Sequence, residues 1–312
     1  MSVYITLNNL KSDETWKNKI PLVDGFGTEG IGSMIQYHLL TSFLSDFIGV
    51  PFTYPGSKNF AHHSYTEYSE DNYFGKIDSF FNFPHVEDEW DEVYDYEGHI
   101  NDQFFSLLDQ YKNTTSRVLI NLHDCHRAID AFCGSNIQSI FTKERVDRIR
   151  NNLNFEGKKY FNEGLNVSWH MRTPNPNDIP AEIVSPYREY YVKERDFGRY
   201  TNLANALKEQ NKDKKITLHI HSQGFSTDFT EFFIFKDENF DVQLHIDDHP
   251  ISDIYHMSNA DIFIMSNSAF SYIPCLLNSN RKITRDNYHT WTFNSIKTNY
   301  DFTTFTETWL WK

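Results

Sequence analysis

The order of apolar and polar positions along this chain predicts short strands that alternate with longer helices. Runs with the length and apolar content of buried strands occur at residues 117–122, 165–172, 215–220, 242–246 and 261–265. Patterns typical of helices occur at residues 33–48, 100–111, 142–153 and 200–210. Because alternating strands and helices pack as parallel sheets covered by helices, we predict an α/β fold.

The expected division into domains follows from the length of the chain and from one helix near its middle. A chain of 312 residues is long enough for two domains, each with its own core. The charged, amphipathic helix predicted at residues 142–153 closes the first domain, so we expect the boundary within residues 154–163. Residues 54–99 are rich in aromatic and acidic side chains without a clear period. We interpret them as an irregular, partly helical insertion in the first domain.

Charge and cysteine content narrow the class of protein. The formal net charge of −14 disfavours nucleic acid as a partner, since its phosphates would be repelled. Three cysteines, an odd number, do not indicate a disulfide framework and favour a reducing compartment. The first residues lack the pattern of a signal peptide, and no run approaches the about 20 apolar residues that a membrane helix needs. We therefore expect a cytoplasmic protein with no membrane span. Its location would be the cytoplasm of a bacterium or, for a viral protein, the cytosol of the host cell.

The turn after the strand at residues 261–265 has the composition of an anion site. It contains Ser266, Asn267 and Ser268, and the apolar residues that follow indicate the opening of a buried helix. Such a helix directs unpaired backbone N–H groups and the positive end of its dipole toward the carboxyl edge of a sheet. The hydroxyl groups of Ser266, Ser268 and Ser271 would add donors, although ordinary N-cap chemistry accounts for the same residues.

A second candidate for anion binding is Arg172. It ends the strand predicted at residues 165–172 and is followed by a proline-rich loop. A guanidinium group at this position is well placed to bind a phosphate, because its geometry allows two parallel hydrogen bonds. A surface ion pair is the alternative interpretation of the same residue.

Three motifs together resemble a known family. His170-Met171-Arg172 ends one strand, Ser222-Gln223-Gly224 ends the next, and residues 259–271 read NADxxxxSxSxFS. These motifs resemble the fucosyltransferase-like glycosyltransferases of the GT-B fold. That superfamily includes α-1,2- and α-1,6-fucosyltransferases and protein O-fucosyltransferases, and the resemblance spans residues 167–277.

The resemblance implies an α/β fold of the GT-B type, with two Rossmann-like domains that face each other across a cleft. Residues 1–155 would form the N-terminal, acceptor-side domain. Residues 156–312 would form the C-terminal domain, which binds the nucleotide-sugar and carries a C-terminal tail.

The resemblance also implies an activity. It is the inverting, metal-independent transfer of fucose from GDP-fucose to a sugar hydroxyl of a glycan, with no cofactor beyond the donor substrate. Departure of the diphosphate builds negative charge that must be neutralised, which Arg172 and the turn at residues 266–268 would do. The residues expected at the donor site are Gly27, Gly30, His170, Arg172, Ser222, Gln223, Asp247, Asp248, Ser266, Asn267, Ser268 and Ser271.

A glycine-rich loop at residues 25–30 admits two interpretations. Its glycines match the G-x-G-x-x-G pattern of dinucleotide sites. However, no strand ending in an acidic residue follows after the expected interval of about 20 residues. Residues 50–56 have instead the composition of a loop. We therefore favour a loop whose glycines allow the backbone to approach a sugar or diphosphate closely.

The catalytic residues are predicted at the same loop and at Arg172. In some protein O-fucosyltransferases a glutamate of the corresponding loop is the proposed base, and the matching residue of this chain is Glu29. Asp24 is an alternative base within reach of the same loop, and His123 and Asp124 are further candidates.

Three alternatives remain open. The run Met171-Arg172-Thr173-Pro174 departs from the Arg-Arg-Gly-Asp or Arg-x-Gly-Asp of the family, so another GDP-sugar or a UDP-sugar is a possible donor. A metal-dependent hydrolase would use a different set of residues, namely His219, His221, His245, Asp247 and Asp248. A catalytically silent glycan-binding module would bind nucleotide or sugar without turnover.

Overall fold

The structure is a computed structural model that describes residues 3–7, 31–54, 70–86, 89–122, 126–172, 197–224, 226–266, 268–283 and 305–306. These residues fall into two compact units, of which the first ends at Asn154 and the second begins at Phe155. Each unit contains a parallel sheet accompanied by helices, so the fold is mixed α/β.

In its described residues, the first unit contains a parallel sheet of three strands in the order β1-β3-β2. The strands are β1 (Val3–Thr6), β2 (Glu92–Tyr96) and β3 (Val118–Leu122). Its helices are α1 (Ile31–Ile48), α2 (Glu70–Phe81), α3 (Asp102–Gln110), α4 (His126–Ser135), α5 (Ile137–Ile140) and α6 (Lys143–Asn152).

The core of the first unit lies where α1 and the aromatic side chains of later helices meet. Phe43 of α1 is fully buried and packs on Phe141 with ring centroids 4.5 Å apart. The helix predicted around residues 142–153 is present as α6. Thr142 caps it by accepting a hydrogen bond from the Arg145 N–H at 3.3 Å.

The segment interpreted as an irregular insertion contains a regular strand, β2. Along β2 only Tyr96 is buried, while Val93 and Tyr94 are exposed, so the strand lacks the apolar run by which β3 is recognised. Among the described strands it lies at the edge of the sheet, held by its backbone ladder to β3. Residues 50–54, predicted as loop, run beside β1, where Phe52 bridges to Ile5.

The second unit contains a parallel sheet with the strand order β6-β5-β4-β7-β8-β9 in the described residues. The strands are β4 (Leu165–His170), β5 (Ile216–Ser222), β6 (Phe240–Ile246), β7 (Ile262–Ile264), β8 (Arg281–Ile283) and β9 (Phe305–Thr306). The helices are α7 (Phe197–Gln210), α8 (Pro250–Asn259) and α9 (Ala269–Leu277), with a 3-10 helix at Ser226–Phe235. This is the strand order of a Rossmann sheet, and the order reverses between β4 and β7.

The two faces of this sheet differ in chemistry because apolar and polar residues alternate along β4, β5 and β6. Val167, Leu218 and Ile220 belong to an apolar core with Tyr200 and Phe232. The alternate positions carry buried polar side chains, which are Asn166, Ser168, His170, Thr217, His219, His221 and His245. The second face therefore needs polar partners for its stability.

Two further features bear on the expectations from composition. Cys133 and Cys275 are buried and free, and burial raises the pKa of the Cys275 thiol to about 12. Among the described residues, no helix combines the length and the apolar content required to cross a membrane.

Candidate functional site

The described candidate residues lie at the carboxyl edge of the second unit's sheet, around the point where the strand order reverses. His170 ends β4 and Arg172 follows it, while Ser266 follows β7, the neighbouring strand. Ser222 ends β5, on the other side of β4. In open α/β sheets this reversal opens a crevice at the carboxyl ends of the strands, and ligands bind there.

His170 links the two strands on either side of this reversal. Its imidazole is buried, and Nδ1 contacts the hydroxyl groups of Ser271 and, at 3.0 Å, Ser266. Ser271 Oγ also accepts a hydrogen bond from the Ser266 N–H at 3.1 Å. Burial, and then the positive charge of Arg172, hold the pKa of His170 well below its usual value. His170 is therefore a neutral imidazole, and with both serines it holds the turn after β7 in place.

The turn leads directly into helix α9. Ser268 caps this helix by accepting a hydrogen bond from the Phe270 N–H at 3.3 Å. The N-cap interpretation of Ser268 is thus correct. It is compatible with anion binding, because the cap also places the positive end of the α9 dipole beside the turn.

Arg172 is half-buried and held at the sheet edge by a neutral side chain. Its Nη1 donates to Gln223 Oε1 at 2.7 Å. Ser222 connects the same two strand ends by donating from Oγ to the carbonyl of Met171 at 2.7 Å. Within the described part of the chain, no carboxylate pairs with Arg172. A guanidinium has five N–H donors, so Arg172 has donors for an anion beyond the one that bonds to Gln223.

The loop after β6 joins the loop after β5. Asp247 has a left-handed backbone conformation, with φ of 56°, and its N–H donates to the Ser222 carbonyl at 3.0 Å. Its carboxylate accepts from the Gly224 N–H at 3.4 Å, and Gly224 is itself left-handed with φ of 110°. Burial raises the pKa of Asp247. The two loops therefore form one structure at the sheet edge, with a carboxylate at its centre.

Asp248, the second acidic residue of this loop, is half-buried. Its side chain is 43% exposed, and Oδ2 lies 3.3 Å from Nδ1 of His245. Hydrogen bonding with His245 lowers the pKa of the Asp248 carboxyl. Asp248 is consequently an ionised acceptor at neutral pH.

The structure brings together the donor-site candidates of β4, β5, β6, β7 and α9. It does not describe the remaining candidates. The residues predicted for the site that lie outside the described part of the chain are Asp24, Gly27, Glu29, Gly30, His123, Asp124 and Asn267.

The histidines considered for a metal site are engaged in hydrogen bonds. His219 Nδ1 lies 3.1 Å from His245 Nε2, and His219 Nε2 lies 3.2 Å from Asn166 Oδ1. His221 Nδ1 lies 2.7 Å from Asp253 Oδ1. In the residues that the structure describes, no group of three or more His, Cys, Asp or Glu side chains is arranged to hold a metal ion. The hydrolase alternative therefore gains no support from these side chains.

An arrangement that sequence inspection missed joins Ser168, His221 and Asp253. Ser168 Oγ lies 3.3 Å from His221 Nε2, and His221 Nδ1 contacts Asp253, which is the order of contacts in a serine-hydrolase triad. However, Ser168 is fully buried, so no substrate reaches its hydroxyl group. Burial also raises the pKa of Asp253 well above its usual value. We therefore assign this trio to the stability of the polar face.

Tyr160 is the other residue of this face that the sequence did not single out. Its ring stacks between His245, at 3.9 Å between centroids, and His256, at 3.4 Å. A signal for the network was nevertheless present in the sequence. Polar residues occupy every second position of β4 and β5, opposite an apolar face, which predicts a hydrogen-bonded network on the other face.

Comparison with known proteins gives a likeness to solved structures but no match to a family. No protein-family model matches the chain, and no curated protein matches it. Among solved structures, the chain is similar to the crystal structure of NodZ alpha-1,6-fucosyltransferase soaked with GDP-fucose, with a TM-score of 0.40 and 11% sequence identity. The likeness covers 91% of this chain and 94% of that chain.

Proposed function

We propose that this protein is an inverting glycosyltransferase that transfers fucose from GDP-fucose to a hydroxyl group of a glycan. The observation that carries the proposal is the position of Arg172. It lies at the carboxyl edge of the second unit's sheet, where the strand order reverses. Its hydrogen bond goes to a neutral amide, and no described carboxylate compensates its charge. Together with the N-terminus of α9, it forms the positive potential that a nucleotide diphosphate requires.

The chemistry of sugar transfer needs this positive potential. As the bond to the anomeric carbon breaks, negative charge grows on the diphosphate and positive charge on the sugar ring. Arg172 neutralises the leaving group through hydrogen bonds that strengthen as the charge develops. His170 remains neutral and holds the turn, so it adds no charge of its own. A cation supplied by the chain makes a metal ion unnecessary in this proposal.

The loop at Asp247 and Asp248 supports guanine as the base of the donor. A guanine ring presents N–H donors, and Asp248 is an ionised, partly exposed acceptor beside the crevice. The choice of fucose rests on the resemblance of the three motifs to fucosyltransferases. In this proposal, Glu29 or Asp24 accepts the proton of the acceptor hydroxyl as the new bond forms.

The first test is a thermal-shift screen of chelator-treated protein. The screen compares GDP, GDP-fucose, GDP-mannose, UDP and UDP-sugars. A ligand that binds only the native state adds about 2.7 kcal/mol of stability at a concentration a hundred times its Kd. We expect stabilisation by GDP and GDP-fucose. Stabilisation by UDP alone would indicate that the donor is a UDP-sugar and not GDP-fucose. A response only to zinc or manganese would overturn the proposal in favour of a metal-dependent hydrolase.

The matched variants are Arg172→Ala and Arg281→Ala. Arg281 makes a comparable hydrogen bond, from Nη1 to Gln210 Oε1 at 3.0 Å. However, Arg281 lies at the start of β8, at the sheet edge opposite to the one that carries Arg172. Removing Arg172 should weaken GDP binding by about 2 kcal/mol, or roughly thirtyfold in Kd. Arg281→Ala should leave the Kd unchanged. Equal losses in both variants would contradict the assignment of Arg172.

A transfer assay then separates an enzyme from a binding module. Purified protein is incubated with GDP-fucose and a mixture of glycan acceptors, and release of GDP and incorporation of fucose are measured together. We expect both products in equal amounts. Binding of GDP-fucose without either product, across a broad acceptor panel, would favour the catalytically silent module.

A further inference from the structure

A continuous line of polar contacts crosses the buried face of the second unit's sheet and ends at the loop after β6. It starts at Asn166 on β4, passes through His219 on β5 and His245 on β6, and reaches Asp248. The distances along the line are 3.2, 3.1 and 3.3 Å. The first three members are buried, whereas Asp248 reaches solvent.

The direction of the hydrogen bonds along this line is set at its buried end. Asn166 Nδ2 donates to the carbonyl of Asn162 at 2.9 Å, and Asn166 Oδ1 accepts from the N–H of Asn162 at 3.3 Å. If the side-chain amide of Asn166 were turned over, its oxygen would face the Asn162 carbonyl and its NH₂ group would face the Asn162 N–H. Neither contact could then be a hydrogen bond. Asn166 therefore presents its oxygen, an acceptor, to His219.

The acceptor at Asn166 determines the protonation state of each imidazole ring along the line. His219 must carry its proton on Nε2 to donate to Asn166, so its Nδ1 is bare when the ring is neutral. That bare nitrogen accepts from His245, which must carry a proton on Nε2. Nδ1 of His245 faces a carboxylate, which only accepts when ionised. The line is satisfied at every contact only when His245 carries protons on both nitrogens.

The surroundings of His245 are consistent with a single positive charge on this ring. The titratable side chains that face it come from β5, from the segment before β4, and from residues 248–256; they are His219, His221, Tyr160, Asp248, Asp253 and His256. Burial lowers the pKa of His219 to about 2 and that of His256 to about 4. The pKa of His221 also lies well below its usual value through burial. These three imidazoles are neutral at neutral pH.

Tyr160 adds a stabilising contact to that charge. Its ring is nearly parallel to that of His245, at an interplanar angle of 15°. The face of a phenol ring carries negative electrostatic potential and attracts a cation placed over it.

We propose that His245 is a positioning residue of the donor site, which as an imidazolium holds Asp248 and the loop that contains it in the binding conformation. What this loop binds rests on the proposed function, whereas the protonation of His245 does not. A neutral His245 would not exert this attraction on Asp248. The loop joined to Gly224 through Asp247 would then loosen, and nucleotide binding would weaken.

The first experiment measures the state of His245 without any ligand. Nitrogen-15 NMR of the imidazole rings of the full chain shows which ring nitrogens carry protons, with His245→Gln used to assign the signal. We expect both ring nitrogens of His245 to show protonated shifts, while His219 and His256 show neutral shifts. In Asp248→Asn, His245 should show the shifts of a neutral ring. A neutral His245 in the wild type would overturn the proposal.

The second experiment measures binding of GDP. His245→Gln should bind GDP about fivefold more weakly than the wild type, because a glutamine at this position carries no charge to hold Asp248. His256→Gln is the control, since His256 stacks on the other side of Tyr160 and bonds to the Ser252 carbonyl at 2.7 Å. It should lose stability and keep the wild-type affinity for GDP. An unchanged affinity in His245→Gln would overturn the positioning role.

The two experiments separate the two proposals. If the wild type binds no GDP, the proposed function fails, and the NMR measurement still decides whether His245 holds Asp248 as an ion pair. If GDP binds and His245 is neutral, the proposed function survives and the positioning role is wrong.

Discussion

At the scale of single residues, the serines of the β7 turn have a structural task that their position in the sequence does not reveal. They were expected to face a ligand, and their described contacts are with His170, with one another and with nearby backbone groups. A buried hydroxyl that satisfies both a ring nitrogen and an N–H stabilises the turn from which the anion site is built. Ser271 therefore stabilises the turn that forms the site.

Ser271→Ala tests this support. The variant removes the acceptor of the Ser266 N–H and one partner of His170, in a place that is closed to water. We expect the free energy of unfolding to fall by about 1–3 kcal/mol, as for other buried groups left without a partner. Urea denaturation measures the change. Ser268→Ala, which loses only a helix cap, should cost about 1 kcal/mol, and a larger loss there than in Ser271→Ala would contradict this account.

At the scale of elements, the helix that closes the first unit was predicted well because its signals are local. Thr142 supplies the cap, Glu144 lies in the first turn, and Arg150 lies in the last turn, so each end of the dipole has a compensating charge. Strand β2 was missed because it has no apolar run of its own and is held by pairing with β3, which includes a hydrogen bond from Asn121 Nδ2 to Asp95 Oδ1 at 2.6 Å. A local pattern carries no record of such pairing.

Thr142→Ala tests the local account of α6. Loss of the side-chain oxygen leaves the Arg145 N–H without its cap, and the free energy of unfolding should fall by about 1 kcal/mol. Thr142→Ser keeps the oxygen and should change little. Equal losses in both variants, measured by urea denaturation, would indicate that the methyl group and not the cap matters.

At the scale of the whole molecule, buried imidazoles tie stability to pH. Burial lowers the pKa of His38 in the first unit to about 3. In the second unit, burial lowers the pKa values of His170, His219, His221 and His256. A histidine whose pKa is lower in the folded state contributes fully above its unfolded value of 6.5, and its contribution is lost as the pH falls.

We therefore expect acidification from about pH 7 to about pH 5 to destabilise the protein, by up to about 1.4 kcal/mol per pH unit for each such histidine. The second unit, with more buried imidazoles among its described residues, should unfold first. Urea denaturation followed by hydrogen exchange at both pH values checks the order. In His256→Gln the slope should fall by the share of one histidine, and a slope identical to the wild type would show that His256 does not titrate on unfolding.

The sequence by itself determined the alternation of strands and helices, the α/β class, the cap of α6 and the candidate residues at the strand ends, because each depends on neighbours within a few positions. Only the tertiary structure decided which of these residues meet. His170 contacts Ser271, 101 positions away, and His221 contacts Asp253, 32 positions away. In both pairs a strand residue meets a residue of a later helix, and which helix covers which strand depends on strand order and crossover connections. The alternation of polar residues predicts the polar face of the second sheet. The hydrogen-bond partners and protonation states of these residues depend on distances that exist only in the folded chain.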